Sequence, residues 1–280
     1  MLALLSRAEL TVGEICEVLN QSQPRVSRHL KVLSSAGLLD RFREEHWVYY
    51  RAPTHGEGSD VVRTLLGLAD QSDLAFVRDR QRMERVIAER ARRAEDESAT
   101  GASSAPEWIE TLIAHELEGR PIGALLDVGT GSGHLLEALA PRATRAVGVD
   151  ISSNALRLAR TNVHGAGLGH CELQQGSMYD LPFDAATFDT VTMDRLLASA
   201  ERPLLALAEL ARAMKAGGRA LIIEDFDSLH DAVNANPITT LRQWLSHAGF
   251  ECKRIHPLDT ESKHLLIAVG ERVGTAKVAA

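Results

Sequence analysis

Residues 124–133 read Ala-Leu-Leu-Asp-Val-Gly-Thr-Gly-Ser-Gly, and a helical pattern of apolar residues follows from His134 to Leu139. A short apolar run, a glycine turn and a helix make the entry of a mononucleotide-binding α/β unit, because glycine lets the backbone approach a ligand closely. A glycine string alone is a weak signal; its surroundings strengthen it. Residues 145–150, Arg-Ala-Val-Gly-Val-Asp, form a second buried-type strand ending in an acid 17 residues past Gly133. A carboxylate there can accept both hydroxyl protons of a ribose. His134 stands where a dinucleotide GxGxxG pattern needs its last glycine, which disfavours a dinucleotide. Asp127, just before the turn, would repel a pyrophosphate and face a cationic amino group. The expected ligand is a nucleoside bearing an amino acid.

Downstream, residues 202–215 predict a helix ended by Gly217 and Gly218, and residues 219–226 the next strand. Residues 251–256 and 264–269 predict the last two strands, and 227–237 a polar connection. The runs LLDVGTGSG, AVGVDIS, QQGSMYDLPFDAATFDTVTMDRLL and ELARAMKAGGRALIIED resemble, in order and spacing, the class I S-adenosylmethionine-dependent methyltransferases, from about Pro106 to Gly270. That resemblance implies a doubly wound, Rossmann-like seven-stranded sheet, with one of the last two strands inserted antiparallel. It also implies a pocket for S-adenosylmethionine or S-adenosylhomocysteine. Asp127, Gly129, Gly131 and Gly133 would hold the methionine moiety and Asp150 the ribose, with Ile151 beside it. Ser177 and Met178 would flank the adenine, and Asp194 would close the strand end beneath the cofactor. Ser177 departs from the aspartate usual after Gly176; a hydroxyl accepts the adenine amino hydrogen bond more weakly than a carboxylate.

The N-terminal part has another logic. Val12, Ile15, Cys16 and Leu19 have helical spacing, and Asn20-Gln21-Ser22 breaks it. A second helix then opens with Ser22 as N-cap and Pro24 in its first turn. Val26, Leu30 and Leu33 face inward at i, i+4, i+7, and no acid occurs from Gln23 to Ala36. Two short helices with a tight turn, the second basic, suit a DNA major groove. Ser22, Gln23 and Arg25 would lie near base edges, Arg28 and Lys31 near phosphates. Gly37 stops the helix, and residues 38–43 and 47–51 predict a hairpin whose Arg41, Arg43 and Arg51 could straddle the backbone. The run from Glu9 to Arg51 resembles the ArsR-type winged-helix repressors, which act as homodimers on palindromic operators and release DNA when an effector binds. Where metal-sensing members carry cysteines, this chain has Thr11 and Gly13. Cys16 alone cannot make a metal site, so no metal is expected. The family places a helix and part of another before this run, where this chain has eight residues, so either the start codon is misassigned or the first helix is missing.

With 280 residues, 45% of them hydrophobic, the chain has material for about two domains, which excludes wholesale disorder. Its formal charge of −7 confines nucleic-acid binding to a local basic patch. Three scattered cysteines fit a reducing cytosol, and no apolar run approaches a membrane span. The expected organisation is a winged helix-turn-helix over 1–60, a dimerisation or connecting helix over 61–97, a linker at 98–106, and the methyltransferase-like domain over 107–280. Val62, Leu66, Ala69, Phe76, Met83 and Ile87 form the stripe expected to pair with a second copy. His134 and His230 are expected as surface or capping residues. Two functions compete. One is a cytoplasmic, nucleoid-associated repressor whose cofactor domain senses S-adenosylmethionine or S-adenosylhomocysteine, as in similar fusions that regulate methionine-cycle genes. The other is a working small-molecule methyltransferase with an autoregulatory DNA-binding module. The stretch Arg195 to Ala200, which would line the acceptor side, offers Ala and Leu where small-molecule relatives place His or other polar groups, and the insert at 227–237 is short; both favour the first.

Overall fold

The structure, a computed structural model, describes residues 1–44, 47–70, 72–97, 116–117, 119–259 and 264–274. The expected linker at 98–106 lies outside the described residues. The chain divides into two compact units, Met1–Ser103 with Ser152–Leu173, and Ser104–Ile151 with Gln174–Ala280.

The first unit begins with α1 (Leu2–Leu5), β1 (Leu10–Thr11), α2 (Val12–Leu19) and α3 (Gln23–Ser35). Thr11 starts α2 with a capping box: its hydroxyl accepts from the Glu14 N–H at 3.3 Å, and the Glu14 carboxylate accepts from the Thr11 N–H at 2.8 Å. Asn20, at φ 49°, ends α2 in the left-handed region and turns the chain toward α3. Ser22 occupies the N-cap of α3, although its hydroxyl makes no capping bond. A hairpin of β2 (Asp40–Glu44) and β3 (Trp47–Arg51) follows, and β1 adds to it in the order β1-β3-β2. This is the winged helix-turn-helix. Val26 and Leu30 of α3 are buried with Leu5, Leu10, Ile15 and Val18, as the i, i+4 spacing requires.

Two helices, α4 (Gly56–Leu68) and α5 (Leu74–Glu97), stand where one was expected over 61–97. The break has a local cause. The Asp70 and Asp73 carboxylates accept the N–H groups of Ser72 and Ala75 at 2.9 and 2.8 Å, an arrangement that competes with helix continuation. Of the stripe expected to pair with a second copy, Met83 and Ile87, with Val86, complete the same core, while Leu66, Ala69 and Phe76 are partly exposed. A different row, Val61, Leu65 and Leu68, stands exposed on α4. Ser153–Gly165 (α7) belongs to this unit and packs along α5.

In the second unit, β4 (Gly123–Val128), α6 (His134–Leu139), β5 (Ala143–Asp150), β7 (Phe188–Asp194), α8 (Pro203–Ala213) and β8 (Met214–Asp225) alternate as a doubly wound fold requires. After α9 (Phe226–Val233) and α10 (Pro237–His247) come β9 (Phe250–Asp259) and β10 (His264–Arg272). With β6 (Cys171–Gln175), the seven strands run β6-β5-β4-β7-β8-β10-β9. Strands β5, β4, β7 and β8 pair in parallel, and β10 inserts antiparallel between β8 and β9, as the resemblance implied. Leu126, Val147, Val191 and Ile222 are each wholly buried, which is why these strands read as continuous apolar runs.

Two expectations fail locally. The polar connection at 227–237 is largely helix: Asp225 caps α9 by accepting the Ser228 N–H at 2.8 Å, and Leu229 anchors it in the core. Gly217 and Gly218 do not end α8; its last residue is Ala213, and the glycines lie within β8, Gly217 at φ 73°.

Candidate functional site

The glycine turn is built as its sequence suggested. Gly129, Gly131 and Gly133 have φ values of 69°, 54° and 83°, a conformation that side chains resist. The N–H groups of Gly129 and Thr130 both donate to Val149 O, at 2.7 and 3.0 Å, fastening the turn to β5. The Gly131 N–H donates to Asp150 Oδ2 at 2.9 Å, so the acid ending β5 already holds the loop. Beside it the Gly176 N–H donates to Asp150 O at 3.0 Å. Ile151, directly after β5, is 72% exposed. Ser177 and Met178 follow Gly176; the Ser177 hydroxyl accepts from the Tyr179 N–H at 3.2 Å, and Met178 packs on the core.

Asp127 lies in β4, two residues before Gly129. It is buried, and its two oxygens accept from Thr130 Oγ1 at 2.7 Å and Thr192 Oγ1 at 2.6 Å. Burial raises its carboxyl above the usual range. In this structure it fastens the turn to β7.

At the end of β7 the structure assembles a group that the sequence did not disclose. Asp194 is buried, and the Arg195 guanidinium donates to both its oxygens at 2.6–3.0 Å. His134 Nε2 stands 3.2 Å from Asp194 Oδ2. Burial would raise the Asp194 carboxyl, but His134 and Arg195 hold it below its ordinary value. The available signal was His134 opening the helix directly after the glycine turn. His230 meets expectation: its ring lies 3.1 Å from Ala235 O, next to the end of α9.

Arg195 adopts φ 53°, a left-handed conformation costing a non-glycine residue about 1 kcal/mol. Its N–H donates to Ile223 O at 2.7 Å, and Glu224 accepts the next three backbone N–H groups, of Leu196, Leu197 and Ala198, at 2.7–3.3 Å. The Leu196 side chain thereby lies against Gly129, where a Cβ on that glycine would go. Burial pushes the Glu224 carboxyl up to about 7, opposed by its three donors. The folded chain therefore holds a proton that the unfolded chain, near 4.5, has released. Stability should fall as pH rises from 4.5 to about 7 and level off above it. In Glu224→Gln that slope should disappear, as urea unfolding between about pH 5 and pH 8 would register; an unchanged slope contradicts the assignment.

In the first unit, Ser22, Gln23, Arg25, Arg28 and Lys31 are exposed on α3, and Arg41 and Arg43 are exposed on β2. Arg51, at the end of β3, does not extend from the hairpin as Arg41 and Arg43 do. It turns inward, donating to Glu9 at 2.9 Å and Glu172 at 3.0 Å. Among the described residues no group of three His, Cys, Asp or Glu side chains could hold a metal ion, and no helix is long and apolar enough to cross a membrane.

Comparison with known proteins identifies two families along the chain. Residues 1–41 match the family model of bacterial regulatory proteins of the arsR family, and residues 126–222 match that of the methyltransferase domain. The chain joins an ArsR-family helix-turn-helix to a class I methyltransferase domain. The ArsR-family part is 44% identical over 55 residues to the arsenical resistance operon repressor of Escherichia coli, covering 20% of this chain and 47% of that one. The methyltransferase domain is 36% identical over 100 residues to demethylmenaquinone methyltransferase of Clavibacter sepedonicus, covering 36% of this chain and 40% of the relative. An uncharacterized methyltransferase of Bacillus subtilis, YcgJ, is 29% identical over 115 residues, covering 41% and 46%. The chain thus spans less than half the length of these curated relatives. The fold agrees with the crystal structure of YcgJ at TM-score 0.52 and 17% identity, covering 60% of this chain and all of that one. A SAM-dependent methyltransferase from Aquifex aeolicus gives 0.51 at 20% identity, covering 59% and 89%.

Proposed function

We propose that the chain is a DNA-binding transcriptional repressor whose methyltransferase domain takes S-adenosylmethionine or S-adenosylhomocysteine as an effector. The carrying observation is the surface of α3: Arg25, Arg28 and Lys31 are exposed on a helix without an acid, while Arg41 and Arg43 extend from the adjoining hairpin. Cations so placed neutralise phosphates, and Ser22, Gln23 and Arg25 sit at the helix end that enters a major groove. The organisation proposed remains a winged helix over 1–60, the connecting helices to 97, and the effector domain from 107.

The nucleoside fits the second site. Asp150 takes the ribose hydroxyls, the apolar exposed face of Ile151 covers one side of the adenine, Ser177 and Met178 flank it, and the turn Gly129–Gly133 admits the amino-acid chain. Bound S-adenosylmethionine supplies an electrophilic methyl group. On the acceptor side this chain presents Leu196 packed on Gly129 and an Asp194 occupied by Arg195. That supports effector binding. One observation favours methyl transfer instead: His134 beside Asp194 is a carboxylate-oriented imidazole able to accept a proton.

A two-fold operator calls for a homodimer, and the exposed row Val61, Leu65 and Leu68 is the surface a second copy would cover. Sedimentation at micromolar concentration checks this; a monomer contradicts it. The function is tested by titrating operator DNA against the full chain with and without each nucleoside. DNA affinity should change at saturating nucleoside, and an unchanged affinity overturns the effector role. Arg28→Ala should weaken DNA binding and lower its logarithmic salt slope by about one; an unchanged slope removes Arg28 from the phosphate contacts.

A further inference from the structure

Five charged side chains form a network inside the first unit. Arg160, on α7, is wholly buried, and Glu9, Glu44 and Glu172 are each at most 3% exposed. Arg160 Nε donates to Glu9 Oε2 at 2.7 Å, Nη1 to Glu44 Oε2 at 2.8 Å, and Nη2 to Leu173 O at 3.0 Å and to Glu44 Oε1. Its guanidinium lies 4.2 Å from the centroid of the Tyr49 ring. Glu9 Oε1 accepts from Arg51 Nη1 at 2.9 Å and from the Leu173 N–H at 3.2 Å. Arg51 Nη2 donates to Glu172 Oε2 at 3.0 Å.

Two features make this more than a stabilising cluster. First, burying charge is expensive, and apolar side chains of similar volume are often as stabilising; what a fully bonded network confers is a fixed geometry. The elements fixed are the wing, through Glu44, Tyr49 and Arg51, and the segment 152–173, through Arg160, Glu172 and Leu173. Second, that segment begins directly after Asp150 and Ile151 and returns to Gln174, three residues before Ser177. One end is therefore joined directly to Ile151 and the other, through Gln174, Gln175 and Gly176, to Ser177. They are also tied to each other, by the Gly176 N–H on Asp150 O and by Gln175 Nε2 on Ile151 O, each at 3.0 Å.

We propose that the segment 152–173 is the arm that links nucleoside occupancy to the wing, with the Arg160–Glu44–Glu9 network as its coupling joint. The proposal rests on the effector reading above and names its route. When Asp150, Ile151 and Ser177 close on a nucleoside, the ends of the arm are drawn to a new spacing. The joint does not absorb the change, because parting a buried carboxylate from its guanidinium is costly, so the hairpin carrying Arg41 and Arg43 follows. By linkage, DNA held on the wing changes nucleoside affinity by the same factor. Arg160 and Glu44 touch neither ligand and act as positioning residues.

The test uses the full chain and S-adenosylhomocysteine as probe, with its Kd measured by calorimetry with and without saturating operator DNA. The unmodified protein should show a coupling factor of about tenfold, within the usual range for linked sites. Glu44→Gln should bring that factor to within about twofold of unity while leaving nucleoside affinity in the absence of DNA unchanged, and Arg160→Lys should retain an intermediate value. A factor of one in the unmodified chain overturns the effector reading itself. A factor that persists in a folded Glu44→Gln protein overturns the arm alone. Should Glu44→Gln fail to fold, Glu172→Gln takes its place. Hydrogen exchange on the unmodified chain gives an independent reading: the nucleoside should alter protection in α7 and in β2 together, and a change that stops at Ile151 and Gln174 refutes the route.

Discussion

Asp150→Ala abolishes nucleoside binding at concentrations where the unmodified chain is saturated, a loss of at least about 100-fold in affinity. Two charge-assisted hydrogen bonds to ribose hydroxyls are worth roughly 3–4 kcal/mol together, which is 100- to 1000-fold in Kd. The carboxylate also anchors the glycine turn through the Gly131 N–H at 2.9 Å, so the substitution loosens the bend as well. Asp150→Asn separates the contributions: its amide oxygen can still receive Gly131 but accepts more weakly from the ribose, and an intermediate loss is expected. DNA binding without nucleoside should be unchanged in both variants. Calorimetric affinity for S-adenosylhomocysteine within threefold of the unmodified value would remove Asp150 from the site.

Arg160→Met destabilises the folded chain by about 3–5 kcal/mol, which lowers the melting temperature by roughly 10 °C for a protein of this size. The reason is not the guanidinium's own contribution but what its removal leaves behind. Glu44 loses its bidentate partner, Glu9 retains Arg51, and the Leu173 carbonyl loses its donor from Nη2. Burial would raise the Glu9 carboxyl, and Arg160 with Arg51 holds it below its ordinary range, so the variant should also lose stability that the unmodified chain has at neutral pH. Arg160→Lys recovers part of the loss, since an ammonium restores charge but not the planar fork. A melting temperature within a degree or two of the unmodified protein would contradict the arrangement.

Both folds were legible wherever local chemistry and periodicity agreed. The glycine turn announces itself because three residues must take positive φ, and Val26 and Leu30 announce the buried side of α3. The antiparallel insertion came from the resemblance to the class I methyltransferases and not from local chemistry. What stayed hidden depends on residues far apart in the chain. Nothing at Arg160 marks it as a partner of Glu44, 116 positions away, and nothing at Arg51 distinguishes it from Arg41 and Arg43, its neighbours on the hairpin. The stripe at Met83 and Ile87 was correctly apolar but could not say whose core it would complete. Asp127 was found by its position but its hydroxyl partners were not, because Thr130 and Thr192 close around it only once β4 and β7 are side by side.

The chain cannot be parted into two independent halves at its obvious seam. A fragment ending near residue 100 would retain Glu44 without the cation that neutralises it and Glu9 with Arg51 alone, leaving α5 bare where α7 packed. The complementary fragment would carry α7 with an orphan guanidinium turned to water. Each piece should expose sticky surface and aggregate. In inheritance, too, the pieces are bound: a recombination that swapped in a foreign groove-reading module would have to bring acids to meet Arg160, so the two modules are constrained to change as one.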